Sequence, residues 1–374
     1  MKHSNMKIPD RPIERFCTER NLSEKSQIGY TKTASIFEEV IDETIVECLK
    51  IADNEKHKDF EDTSLYEWLI LFRNYTYNTY KEGTAKLYLT RIKAIFRHYK
   101  IPIGDLPYFS TKQARKSEEI DYEDLPNREI LKKCIELKNP LLKALTLFMS
   151  SSGISKIDTL ELTIQDYLTA TKEYHNTNNI HQAIHEMENQ KVIPVFKLTR
   201  RKTGETYRTF ASPESVKAIN NYLLGRDNLT NDSKLFDISI SYINDIFQQT
   251  NDKLELGRVN GHRRFCPQML RSYHASQLSE SGMNDSNIDL LQGRKPQSIA
   301  RKSYIRVKRE RLREEYIKAL PFLVVEDFEK VKTELDTVKE ERDNLLENYN
   351  KIWDKINSIE ERQNAWDEIK ELKE

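Results

Sequence analysis

The chain has 374 residues, with 60 Lys plus Arg and 60 Asp plus Glu, so its formal net charge is zero. Its 37% hydrophobic and 32% charged content, with only 10 Gly and 11 Pro, fits a helix-rich protein of two or three domains rather than a collagen-like or low-complexity chain. No run of eighteen apolar residues or apolar secretory core is present, and Cys17, Cys48, Cys134 and Cys266 lack zinc-finger spacing; the expectation is a reduced, cytoplasmic protein with no membrane span.

Residues 1–110 read as helices. Ser23 is a plausible cap for a helix carrying Ile28, Ile36, Phe37 and Val40 on its apolar side. The stretch TSLYEWLILFRNYTYNTY is apolar enough to be buried on one side. In TAKLYLTRIKAIFRHYKI, Leu87, Ile92, Ile95, Phe96 and Tyr99 fall at helical spacing. The opposite face carries Lys86, Arg91, Lys93, Arg97 and Lys100, a set that suits either DNA phosphates or plain solvation. Prolines and polar residues over 102–125 predict a boundary, with a linker at 111–125.

A second helical unit is expected from 126 to 325. Its first part reads as three helices, separated by Pro140 and by a Ser/Gly turn at 150–153. The segment HNTNNIHQAIHEM has His181 and His185 four apart, plus His175, without the glutamate of a zinc-protease helix; it reads as a polar surface insertion. Val192 to Phe210 reads as two strands around a Thr203–Gly204 turn, and helices resume at Ser212. The fold class expected is mostly α with a small β-hairpin or sheet.

The zero net charge conceals segregation. Residues 326–374 hold 16 acidic and 9 basic residues, while Arg294 to Arg313 holds nine basic residues and one acid, Glu310. A local basic field of that kind suits a phosphate backbone. From Phe328, a heptad places Phe328, Leu335, Arg342, Tyr349, Ile356 and Gln363 on one seam and Val331, Val338, Leu345, Ile352, Ile359 and Trp366 on the other, with Arg342 and Gln363 weakening the first. That pattern predicts a coiled coil or a long helix folding back on its own chain.

Tyr304 lies inside this basic stretch, in KSYI, beside Arg301 and Lys302. A tyrosine oxygen can attack phosphorus and form a covalent intermediate. Guanidinium forks match the charged phosphate oxygens, and a lysine can protonate the departing oxygen. Arg271, Arg294 and Lys202, the last on the hairpin turn, are the candidates for those roles. No Asp/Glu/His set has convincing metal spacing.

Over roughly residues 10–320, these pieces resemble the tyrosine recombinases (phage-type integrases), particularly an integrase-like branch from archaea and their viruses. The resemblance rests on RRKTGETYRTF with Lys202, on PQMLRSYHASQL with Arg271, on LLQGR with Gly293–Arg294, and on Tyr304 ten residues later. It implies a helical core-DNA-binding domain at 1–110, a catalytic domain at 126–325 and a coiled-coil or long-helix tail at 326–374. It also implies strand cleavage and rejoining on double-stranded DNA through a 3′-phosphotyrosyl bond, without metal or nucleotide cofactor. Self-association to a tetramer on paired sites would follow.

Two positions depart from the family pattern. The motif's first arginine falls on Ser155 in GISKIDTLEL, and its histidine on Gln268. Serine supplies no fixed charge, and glutamine can donate a hydrogen bond but exchanges no proton near neutral pH. Lys156, Arg200, Arg201 and Arg264 are candidates to compensate. His274, three residues after Arg271, either supplies acid–base function or packs as an ordinary helix histidine. Two other functions stay open: a type IB-like topoisomerase, and a DNA-binding accessory protein with a recombinase fold.

Overall fold

The computed structural model describes residues 8–112, 115–116, 120–294 and 309–326. The chain divides into two compact units, Met1–Glu119 and Ile120–Glu374. Tyr304, Arg301, Lys302 and the heptad tail lie outside the described residues.

Among the described residues the first unit contains five α-helices: α1 (Pro12–Glu19), α2 (Glu24–Ile41), α3 (Ile45–Glu55), α4 (Ser64–Thr79) and α5 (Glu82–His98). Thr44 and Thr63 cap α3 and α4 by accepting the N–H groups of Glu47 and Tyr66, satisfying donors that a helix start leaves open. Asp42, at φ 58°, ends α2 in the left-handed region. Phe37 meets Phe72 and Phe96 edge-on, at centroid distances of 5.2 and 5.9 Å. The buried Tyr99 hydroxyl donates to the Pro12 carbonyl at 2.7 Å, fixing α1 to the end of α5.

Helical spacing located this core but extended its face too far. Ile28 and Leu87 are exposed, at 63% and 46%, on the outer sides of α2 and α5. Arg91 faces inward instead. Its Nη1 donates to the Gly29 carbonyl at 3.0 Å, and its guanidinium lies 5.5 Å from the Tyr30 ring centroid. It ties α5 to α2, whereas Lys86, Arg97 and Lys100 are exposed. Burial lowers the Lys93 pKa, with Arg97 and Arg73 adding to the effect.

The second unit is built around α7 (Pro140–Ser152), whose buried side chains include Leu145, Leu147, Phe148 and Met149. Before it comes α6 (Arg128–Ile135); after it come α8 (Lys156–Glu161), α9 (Ile164–Ala170) and α10 (Ile180–Met187). Ser150–Ser152 belong to α7 rather than to a turn. Ser151 and Ser152 donate to the carbonyls of Leu147 and Phe148, each at 2.6 Å, so their hydroxyls are satisfied inside the helix. The chain turns only at Gly153, where φ is 63°.

The histidine-rich segment is also more than a surface insertion. Ile180, Ala183, Ile184 and Met187 of α10 are buried in the main core, and His175 is buried against Thr171. His181 and His185 occupy the outer face.

Strands β1 (Val195–Thr199) and β2 (Thr206–Phe210) pair antiparallel, from Val195↔Phe210 to Thr199↔Thr206. Thr209 donates to the Ser152 carbonyl at 2.6 Å and fastens β2 to the end of α7. Then follow α11 (Pro213–Leu224), α12 (Ile240–Lys253), β3 (Arg258–Val259), β4 (His262–Arg263), α13 (Pro267–Glu280), α14 (Asp285–Leu291) and α15 (Arg309–Leu323). His262 opens the short strand β4. Its hairpin turns at Asn260–Gly261, both at positive φ, as a two-residue primed turn requires.

Helix α15 packs Leu312, Tyr316, Leu320 and Leu323 with Phe210, Leu278 and Leu291 in a satellite core. Glu214 accepts the backbone N–H groups of Val325 and Glu326, both at 2.8 Å. The start of the expected tail is thereby held on the second unit.

A buried polar pair in this unit gives a stability test. Tyr167 donates to Asn220 Oδ1 at 2.7 Å, away from solvent. Tyr167→Phe leaves that acceptor unpaired and should cost about 1–3 kcal/mol in urea unfolding.

Candidate functional site

Arg271 sits one turn into α13, whose first position is Pro267. Its side chain turns inward, leaving the residue only 5% exposed. Nη1 donates to the Gly153 carbonyl and Nη2 to the Gln292 carbonyl, the latter at 2.5 Å. Both acceptors follow directly on helix ends, α7 and α14. Carbonyls there lack intrahelical partners and carry the negative end of the helix dipole. Gln292 returns the contact, because its Nε2 donates to the Arg271 carbonyl at 2.9 Å. The two residues thus bracket each other, side chain to backbone in both directions.

His274 lies behind this bracket, fully buried. Gln292 Nε2 is 3.0 Å from His274 Nδ1. Since Nε2 of glutamine is a donor, Nδ1 accepts and the ring proton sits on Nε2. That Nε2 and Gln292 Oε1 have no hydrogen-bond partner among the described residues. Burial, then Arg271 and Arg294, hold the imidazole pKa down to about 3. The structure therefore makes His274 a neutral packing group. Gly153 is required beside it: a Cβ there would lie 2.7 Å from His274 Cε1.

Arg200 closes the arrangement from the hairpin. Its Nη1 donates to the Gly293 carbonyl at 2.9 Å, one residue beyond the carbonyl that holds Arg271. Gly293 has φ 61°, and a Cβ there would lie 2.6 Å from the Tyr207 ring. Arg294 follows, partly exposed and 3.9 Å from Asp289. Burial is the largest cause lowering Arg271 to about 10, and Arg294 and Arg200 add to it. Arg271 remains charged at neutral pH. Burial also raises the Tyr207 phenol, whose hydroxyl makes no hydrogen bond among the described residues.

The other sequence candidates are distributed differently. Ser155 caps α8: it donates to Asp158 Oδ2 at 2.7 Å and accepts the Asp158 N–H at 3.3 Å. Asp158 Oδ1 accepts the Arg201 backbone N–H at 3.2 Å, which joins this cap to the hairpin. Lys156 donates to Asn244 of α12 at 2.6 Å. Arg201 pairs with Glu161 at 2.6 Å on the surface. Arg264 donates to the carbonyls of Glu123 and Leu125, pinning the segment read as linker to its own unit. Gln268 is exposed in the first turn of α13, and Lys202 is exposed at the hairpin turn.

The structure thus brings together Arg271, Arg294 and Arg200, with Gln292, His274 and Tyr207 around them. Sequence reasoning had no role for Gln292, because a glutamine before a glycine carries no motif. Arg200 was legible only as one of two arginines beside Lys202. Among the described residues, no cluster of three or more His, Cys, Asp and Glu could hold a metal ion, and no helix is long and apolar enough to cross a membrane.

No protein-family model and no curated sequence matches the chain. Solved structures do match. A lambda integrase fragment (75–356), a dimer bound to a COC′ core site, aligns at 15% identity over 79% of this chain and 96% of its own, with a TM-score of 0.50. The Tn1549 transposon integrase (82–397), in complex with circular intermediate DNA, aligns at 12% identity over 82% and 97%, with the same TM-score. The chain has the tyrosine recombinase fold. At these identities the likeness is one of fold, and the residue roles rest on the geometry above.

Two outcomes test that geometry. Gly153→Ala forces a left-handed alanine against the His274 ring and should cost on the order of 2–4 kcal/mol in denaturant unfolding. The second concerns pH. In the unfolded chain His274 takes up a proton below about 6.5, whereas in the fold it stays neutral down to about 3. Its stabilising contribution is complete above pH 6.5 and is lost as the pH falls through that window. Between about pH 6 and 5, His274→Gln should remove a component of the stability slope approaching 1.4 kcal/mol per pH unit.

Proposed function

We propose that the chain cuts and rejoins double-stranded DNA at specific sites through a 3′-phosphotyrosyl intermediate on Tyr304. The observation that carries this reading is the buried, carbonyl-held Arg271 beside Arg200 and Arg294, in the fold shared with DNA-bound integrases. Neutral carbonyls fix the guanidinium without cancelling its charge. The cluster is therefore suited to a phosphate that gains negative charge in its transition state.

In this mechanism the Tyr304 phenol passes its proton to solvent as its oxygen attacks phosphorus, and the bond to the 5′ oxygen breaks. Lys202 protonates that departing oxygen, which leaves as a hydroxyl. Arg271 and Arg294 stabilise the crowded phosphate, with Gln268 as a neutral donor. Attack by a partner strand's 5′-hydroxyl reverses the chemistry and releases the tyrosine. Residues 1–110, with Lys86, Lys93 and Arg97, together with Arg301 and Lys302 near the nucleophile, would contact backbone phosphates. The resemblance to archaeal and archaeal-virus integrases makes a mobile element the DNA inserted or excised, with four protomers on paired sites and the 326–374 tail organising them.

The Ser155 cap favours a second reading, a DNA-binding accessory protein with weakened or lost cleavage. A suicide substrate, built on a site selected from random DNA by binding, separates the two. Wild-type protein should become covalently attached to DNA, and Tyr304→Phe should abolish attachment without weakening binding. Tight binding with no attachment by the wild type would establish the accessory reading instead.

A further inference from the structure

Three guanidinium groups occur where the chain passes from α14 into 292–294, yet their partners are unusual. Arg271 uses Nη1 and Nη2 on carbonyl oxygens. Arg200 uses one Nη1 hydrogen on the Gly293 carbonyl. Among the described residues, no carboxylate forms an ion pair with either one, and the only acid at Arg294 is Asp289 at 3.9 Å. Asp158, the acid that acts on Arg271, already accepts from Ser155 and from the Arg201 backbone. Like charges held together in a partly buried place repel unless an anion joins them.

The geometry adds direction. Gln292 and Gly293 are consecutive, so their carbonyls hold Arg271 and Arg200 next to each other. A guanidinium has five N–H donors in a rigid fork. Arg200 spends one of them on Gly293, is half-buried, and its side chain makes no other hydrogen bond among the described residues. None of the remaining candidates for an extra cation is placed this way. Lys156 is turned to Asn244, Arg201 to Glu161, and Arg264 to the carbonyls of Glu123 and Leu125.

We propose that Arg200 and Arg271 together form an oxyanion site for a tetrahedral phosphate, in which Arg200 contacts the phosphate directly. This deepens the strand-cleavage reading and rests on it only for naming a DNA phosphodiester as the natural occupant. Arg200 then supplies a further fixed charge that Ser155 cannot, because Ser155 is spent on capping α8. The hairpin gains a second role from the same residue. One edge of the Arg200 fork anchors the loop bearing Lys202 to Gly293, and the other meets the phosphate.

Inorganic phosphate is the direct probe. At constant ionic strength set with chloride, phosphate should raise the thermal midpoint of the full chain saturably. Arg200→Gln carries no charge, and it should lose that stabilisation. Arg200→Lys, a second variant in case the first fails to fold, keeps charge without the fork and should weaken phosphate binding at least tenfold. In the suicide-substrate assay at saturating DNA, Arg200→Gln should slow covalent attachment at least tenfold. An absent phosphate effect in wild type, or one undiminished in the folded Arg200 variants, would overturn the proposal. If wild-type protein never attaches to DNA but its phosphate effect still requires Arg200, the anion site stands and strand cleavage falls.

Discussion

The molecule depends on one constraint: a buried guanidinium must be held firmly without being neutralised. Taking Arg271 out of water costs several kcal/mol. A carboxylate partner would offset that cost but cancel the charge. Carbonyl oxygens at two helix ends offset it through charge-assisted hydrogen bonds, each contributing about 1.5–3 kcal/mol, and leave the positive charge in place. The left-handed Gly153, the reciprocal Gln292 bracket and the neutral His274 each follow from seating that group. A charged His274 would add another like charge beside Arg271, and a larger residue at 153 would displace the ring.

The second constraint is the hairpin. Lys202 is exposed at its turn, and among the described residues no hydrogen bond or ion pair holds its ammonium. The backbone around it is better anchored. Arg200 reaches Gly293 on one side, while the Arg201 N–H reaches Asp158 on the other. Asp158 in turn is organised by Ser155. Ser155, where the resemblance implies an arginine, thus contributes to the support of the hairpin that carries Lys202.

Much of the fold was legible because burial imposes periodicity. The β1–β2 hairpin around Thr203–Gly204 and the core residues Ile92, Ile95 and Phe96 of α5, with Tyr99 just beyond it, follow directly from spacing and turn chemistry. Errors arose where residue type and environment disagreed. Three consecutive serines look like a loop, but in α7 two of them bond carbonyls four residues back. Histidines and asparagines hid the i, i+3, i+4, i+7 apolar face of α10. Asn260–Gly261 is a strong turn signal, although strands of two residues give no alternation to support it. Arg271 was visible through its motif. Its holders were not, since they act through backbone carbonyls that any residue possesses; only the glycine at 153 leaves a trace in the sequence.

The most direct measurement is a crystal structure of Tyr304→Phe bound to a duplex carrying its selected site. The scissile phosphate should lie within hydrogen-bonding distance of Arg271, with residue 304 in line behind the phosphorus. A well-ordered complex in which the backbone phosphates pass elsewhere, leaving the Arg271 cluster without an anion and residue 304 remote from it, would contradict the account.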